Sequence, residues 1–310
     1  MAKFFNPPSV ADDLSYLTDY MEKMAWLIGQ YSRGEMVAIL GRNNENFHRG
    51  GPADEDDANE RLIDRAMEYA ESRERACNGA YPFRVEPNGE VLRFIEETSE
   101  SRREIYLYLL LCTRLDMQQN RKLSGLDGTA LFEELTAHVL QNYLGGNKRA
   151  RSMVFGTGSL GEGFQKKVDK LCRALGEGVG FHNQDTNTPA PTGGDGKLDA
   201  VAWIPFCDGR AGQLILFAQS KTGTHWRDDV TQLRPDAFIK NWMERTFVRD
   251  PTPVFCVAEA VENEWRKLQT NAGILFDRCR MVDFSETVPV ELLEKIHQWT
   301  AAGKDLLIIH

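Results

Sequence analysis

Cysteine pairs, long apolar runs, repeats and an excess of positive charge are all missing from this 310-residue sequence. The six cysteines, at 77, 112, 172, 207, 256 and 279, form no Cys-x-x-Cys pair, which argues against a zinc site or a disulfide frame. Several lie in apolar runs, such as Cys256 in Val254-Phe-Cys-Val257, so buried free thiols in a reducing cytoplasm are expected. The histidines are equally scattered, and His225 reads as a surface residue. The longest apolar run, Ile105 to Cys112, is far too short to cross a bilayer. No sustained apolar stretch separates Met1 from Asn6-Pro-Pro8, so no secretory signal is expected and no membrane partner either. A net charge of −9 argues against a surface coated for nonspecific nucleic-acid binding.

What is present is the composition of a globular protein with a large core, 42% hydrophobic and 27% charged. The charge is uneven. Acids outnumber bases from Arg49 to Glu104, notably in Asp54-Glu-Asp-Asp57. From Lys148 to Arg173 the balance reverses, and Lys148, Arg149, Arg151, Lys166 and Lys167 are candidates for contact with a phosphate backbone. The alternative is a solvated charged face.

Residues 1–125 read as a mostly helical domain, with helices over 14–31 and 56–75 and one long helix or two in series over 91–117. Its role is open. A polar, glycine-containing stretch, Lys122 to Gly128, sets the boundary with a second domain, 126–310. There the pattern predicts a helix over 129–144, a short strand over 152–155, a helix ending near 175 and a strand over 179–183. Beyond residue 221 it predicts a helix over 228–245, a strand over 253–258, a helix over 261–270, a strand over 279–284 and a last helix over 290–300. The class is α/β: a mixed sheet flanked by helices, preceded by a mostly helical region.

The chemistry gathers in two segments. Residues 197–206 and 213–221 are strand-like, and Asp208-Gly209 between them is a turn signal. In an antiparallel pair reversing there, opposed residue numbers sum to about 418, which sets Asp199 across from Gln219. Lys221, two residues on, shares the face of Gln219. Polar side chains at the ends of buried strands need partners or a task. An acid, an amide oxygen and a lysine suit Mg²⁺ (or Mn²⁺) and a phosphate: Asp199 and Gln219 as ligands, Lys221 against developing charge. The alternative is an Asp–Lys ion pair with Gln219 in solvent.

Leu198-Asp199 followed by Gln219-Ser220-Lys221, with Phe132-Glu133 upstream, resembles the core motif of the PD-(D/E)xK nuclease superfamily, most of all its Mrr-like restriction endonuclease branch. The resemblance covers roughly residues 128–260. It implies a restriction-endonuclease-like sheet, Asp199 as a bridging metal ligand with Gln219 and the Ser220 carbonyl, Lys221 as the catalytic lysine, and Glu133 as an outer ligand or water-orienting group. Gln219 departs from the acid usual in that motif, which weakens the implied metal site. Of the two neighbouring acids, helix geometry turns Glu133 toward the apolar side and Glu134 away from it. What the resemblance implies is a metal-dependent endonuclease acting on DNA, with RNA left open, and, by family analogy, a role in bacterial antiviral defence. The N-terminal helices offer a surface for a protein partner or a second copy. The alternative is a nuclease-like subunit that binds or scaffolds without cutting.

One motif competes. Gly156-Thr-Gly158-Ser-Leu-Gly161 is a literal GxGxxG between an apolar run and a helix, the pattern that lets backbone approach a pyrophosphate. No second strand carrying an acid follows clearly, although Asp185 falls near the expected offset. The same loop could hold a DNA phosphate or be a plain turn.

Overall fold

A computed structural model describes residues 5–9, 11–43, 52–95, 101–156, 163–184, 187 and 196–308. The chain opens with α1 (Leu14–Ile28), capped where the Asp13 side chain accepts from the Tyr16 N–H at 2.7 Å. Then come β1 (Gln30–Ser32), α2 (Arg33–Asn43), α3 (Pro52–Ala76), β2 (Phe83–Val85), β3 (Val91–Phe94) and α4 (Ser101–Arg114). Helices dominate, yet β1, β3 and β2 form a small antiparallel sheet that the periodicity did not predict. The expected helix over 91–117 is therefore corrected: its first residues are β3, with Leu92 buried and Arg93 exposed, and α4 begins only at Ser101.

The predicted boundary falls on a tight turn between β4 (Lys122–Leu123) and β5 (Leu126–Asp127). Beyond it lie α5 (Gly128–Tyr143), β6 (Arg151–Val154), α6 (Phe164–Leu175), β7 (Val179–Phe181), β8 (Ala200–Ile204), β9 (Leu214–Lys221) and α7 (Pro235–Trp242). The chain closes with β10 (Met243–Arg245), β11 (Thr252–Val257), α8 (Trp265–Ala272), β12 (Ile274–Phe276), α9 (Arg278–Asp283) and α10 (Val290–Ile308). The central sheet has the order β12-β11-β9-β8-β6; β8 runs antiparallel to both neighbours, while β11 runs parallel to β9 and β12. This is a mixed α/β fold with β8 and β9 inside the sheet.

Two further expectations are corrected. The helix expected over 228–245 shrinks to α7, because Pro235 can begin a helix but not sit within one. Its tail leaves as β10 to pair with β7, outside the central sheet. The strand expected over 279–284 is α9; Asp277 caps it by accepting from the Arg280 N–H at 3.1 Å, and the strand lies earlier, as β12.

Alternation sorts the central strands. Ala200, Ala202, Leu216, Ala218, Val254 and Cys256 face the side of α5 and join one core with α1, α3, α4, α9 and α10. Val201, Trp203, Ile215 and Phe217 face α6 and α7 in a second core. Both faces are thus covered, as inner strands of a mixed sheet require. The first core runs without a break across the predicted domain boundary. A buried ion cluster ties it: Asp19 of α1 pairs with Arg73 of α3 (2.5 Å), Arg114 of α4 (2.6 Å) and Arg278 of α9 (2.8 Å).

Candidate metal and nucleic-acid site

The hairpin has the register its sequence demands: Ala200 pairs with Ala218 and Val201 with Phe217, so Asp199 stands across from Gln219. The ladder opens at this point. Asp199 N–H donates to Ala218 O (2.8 Å), and its own carbonyl accepts from both Phe155 N–H (2.8 Å) and Gly156 N–H (3.0 Å). The Ser220 N–H turns to the Asp199 side chain, donating to Oδ2 at 2.7 Å. That bond fixes one carboxylate oxygen and leaves Oδ1 directed toward Gly156.

Glu133 arrives from the second turn of α5. The helix start is clamped: Asp127 caps it with bonds from the N–H groups of Thr129 (3.0 Å) and Ala130 (3.2 Å), and Tyr108 Oη donates to the Gly128 carbonyl at 2.5 Å. Gly128 itself lies against Trp299, where a Cβ would come within 2.6 Å of the indole. Deeper in the helix, the Thr136 and Ser220 hydroxyls are 3.0 Å apart, which joins α5 to β9. Glu133 is 7% exposed and Glu134 more open, as helix geometry predicts. Glu133 Oε2 and Asp199 Oδ1 both reach the bare side of Gly156: a Cβ there would stand 2.7 Å from the first and 3.0 Å from the second. Two acids from different elements therefore share one position.

Gln219 is 2% exposed, so the reading that put it in solvent is excluded. Its Oε1 has no hydrogen-bond partner among the described residues. A buried carbonyl oxygen without a donor is costly unless something else meets it. Two carboxylates and a neutral amide oxygen at one strand end form an all-oxygen donor set, which fits a hard divalent cation. Among the described residues no three His, Cys, Asp or Glu side chains gather as a metal site. Burial pushes the Tyr108 hydroxyl well up, helped by Cys112 and then by the charges of Asp127 and Glu133. The phenol beside this helix therefore stays protonated and keeps its bond to Gly128.

Lys221 has a partner the sequence did not suggest. Its Nζ is 2.8 Å from Asp229 Oδ2, in the short 3-10 turn Arg227–Asp229. The pair borders a cleft of about 790 Å³ whose lining includes Arg114, Gln118, Arg121 and the exposed His225.

The basic residues divide. Lys148, Arg149, Arg151 and Lys166 are exposed. Arg151 pairs with Trp203, whereas Val154 at the other end of β6 pairs with Ala200; the strand rise puts Arg151 about 10 Å along the sheet from the Val154 end. Lys166 lies in the first turn of α6, one residue before Lys167. Lys167 is corrected: expected on an open phosphate-facing surface, it is 6% exposed, and its Nζ donates to the Gly156 carbonyl at 2.8 Å. Its position was readable, since Phe164, Lys167, Val168 and Leu171 share one stripe of α6. Of the GxGxxG motif, Gly156 is used to make room for two carboxylates; Gly158, Gly161 and Asp185 lie outside the described residues. No family model matches the chain, and no curated protein and no solved structure is significantly similar to it.

Proposed function

We propose that this protein is a divalent-metal-dependent nuclease that hydrolyses phosphodiester bonds, with DNA as its substrate. The observation that carries the reading is the meeting of Glu133 Oε2 and Asp199 Oδ1 at Gly156, with the buried Gln219 Oε1 on the paired strand, an oxygen without a partner among the described residues. Asp199, Glu133 and Gln219 would hold Mg²⁺ or Mn²⁺. The bound ion supplies Lewis-acid charge against a phosphate and makes a nucleophile accessible at neutral pH. Asp199 is pre-oriented by Ser220 N–H on Oδ2, so its carboxylate is already turned with Oδ1 toward Gly156. Gln219 adds a donor without adding charge. Lys221 is the group that would meet charge on the phosphate, its ammonium passing from Asp229 to a phosphate oxygen as a strand enters. The exposed Lys166, and farther off Lys148, Arg149 and Arg151, offer positive charge along the path of a backbone. An overall acidic chain fits a nuclease that relies on a protein partner or a second copy for much of its grip; the unpaired cysteines suit a reducing cytoplasm, and a defence role rests on the resemblance to restriction endonucleases.

Cleavage of plasmid and single-stranded DNA and of RNA in Mg²⁺, Mn²⁺ or EDTA tests the reading. Asp199→Asn and Glu133→Gln are expected to lose metal-dependent cutting by about a hundredfold or more while melting near the wild type. Asn at 199 keeps an acceptor for Ser220 N–H, so the fold has no reason to fail. Full cutting by both variants overturns the site. A second reading is favoured by one observation, the counter-ion on Lys221: a nuclease-like subunit that binds nucleic acid without cutting. Binding of DNA with no cleavage in either metal would select it.

A further inference from the structure

Lys167 has no place in the motif, yet it binds the same residue, Gly156, against which the two acids rest. It sits on the buried stripe of α6, 6% exposed, between Phe164, Val168 and Leu171. Its Nζ donates to the Gly156 carbonyl at 2.8 Å and stands 5.8 Å from the centre of the Phe155 ring. A buried ammonium is stable only where negative charge or several acceptors compensate it. Gly156 is the joint: its carbonyl takes the ammonium, while its bare α-carbon takes Glu133 Oε2 and Asp199 Oδ1. One residue thus separates a buried cation from two buried acids.

We propose that Lys167 is the resident cation of the carboxylate site, a positioning residue that sets how tightly the site takes a divalent ion. Two acids at one point repel each other, and a fixed ammonium on the far side of Gly156 offsets part of that repulsion. The same ammonium opposes an incoming divalent cation, so the site binds it more weakly than the two acids alone would. A phosphate oxygen then completes the binding, which couples metal uptake to substrate. By holding the Gly156 carbonyl, Lys167 also fixes the turn against which both carboxylates rest. The proposal rests on the metal-site reading above.

The test is Mn²⁺ titration of the full chain, read by calorimetry or by loss of the free-ion electron spin resonance signal, for wild type, Lys167→Met, Lys167→Gln, Lys167→Arg and Asp199→Asn. Removing the charge in Met and Gln is expected to tighten Mn²⁺ binding about tenfold, and to slow single-turnover cleavage because the turn and the charge balance are lost. Arg, which keeps the charge, stays near the wild-type affinity. A role in folding alone would weaken metal binding and cleavage together, without rescue by Arg. If Met at 167 fails to fold, Gln, which keeps a donor for Gly156, decides. Unchanged or weaker Mn²⁺ binding in the folded neutral variants overturns the proposal while leaving the metal site intact. Absence of Mn²⁺ binding in the wild type, identical to Asp199→Asn, overturns the metal-site reading and this proposal with it.

Discussion

Gly156 shows how little of a site a single residue announces by itself. In the sequence it belongs to a phosphate-loop pattern; in the fold it is the gap that lets Glu133 and Asp199 approach each other. Its backbone lies outside the left-handed region, so a substitution there tests the side-chain space alone. Gly156→Ala is expected to push Glu133 away, costing about 1 kcal/mol of stability in a urea titration, with a far larger loss of Mn²⁺ affinity. Unaltered metal binding in that variant would show that the two acids do not share an ion. The register of Asp199's strand on that of Gln219, and the burial of Glu133 rather than Glu134, were readable, because strand register and helix angle are local properties. Lys221 is different. Its partner Asp229 comes from a turn whose path no local pattern specifies.

At the scale of elements, α5 carries the most consequence, since it delivers Glu133 and packs on the inner strands. Its start depends on Asp127, which accepts from Thr129 and Ala130 and pairs with Arg121 at 2.6 Å. Burial alone would raise this carboxyl, but the bonds from Arg121, Thr129 and Ala130 outweigh it and bring it down to about 2. A depressed acid contributes stability above its unfolded pKa of about 3.9 and loses it as pH falls through its folded value. Asp127→Ala should therefore cost about 1 kcal/mol at neutral pH, and the gap to wild type in denaturant titrations should close between about pH 4 and pH 2. A gap independent of pH would mean that the cap acts only through shape. Elements with local signals, the hairpin and α5 among them, were legible. β3 was not, because its partner β1 is remote in sequence; nor was β10, which leaves α7 to join β7. The start of α9 did carry a signal, Asp277 three residues before Arg280, and the apolar content of the segment masked it.

In the whole molecule, the helical N-terminal part and the sheet share one core and one buried ion cluster. Burial by itself would raise the Asp19 carboxyl, yet Arg278, Arg114 and Arg73 hold it well below the usual carboxylate range. Glu22 joins the cluster, accepting from Arg73 (2.7 Å), Tyr81 (2.6 Å) and Tyr106 (2.8 Å). Asp19→Asn leaves three buried guanidinium groups with one acid between them, a loss of about 3–5 kcal/mol in chemical denaturation. A loss under 1 kcal/mol would mean that the cluster is solvated in solution. The boundary read at 122–128 is a real turn, but α4 packs on α10 and Asp19 reaches Arg278 across it. α9 and the sheet are therefore expected to need α1 for their own stability.

In the proposed site Glu133, Asp199 and Gln219 hold one divalent cation. Crystals of the full chain soaked in Mn²⁺ and recorded at the manganese absorption edge test it directly. An anomalous peak is expected in contact with Glu133, Asp199 and Gln219 oxygens, lost in Asp199→Asn. Well-ordered side chains with no peak between them, or a peak held elsewhere by other residues, would contradict it.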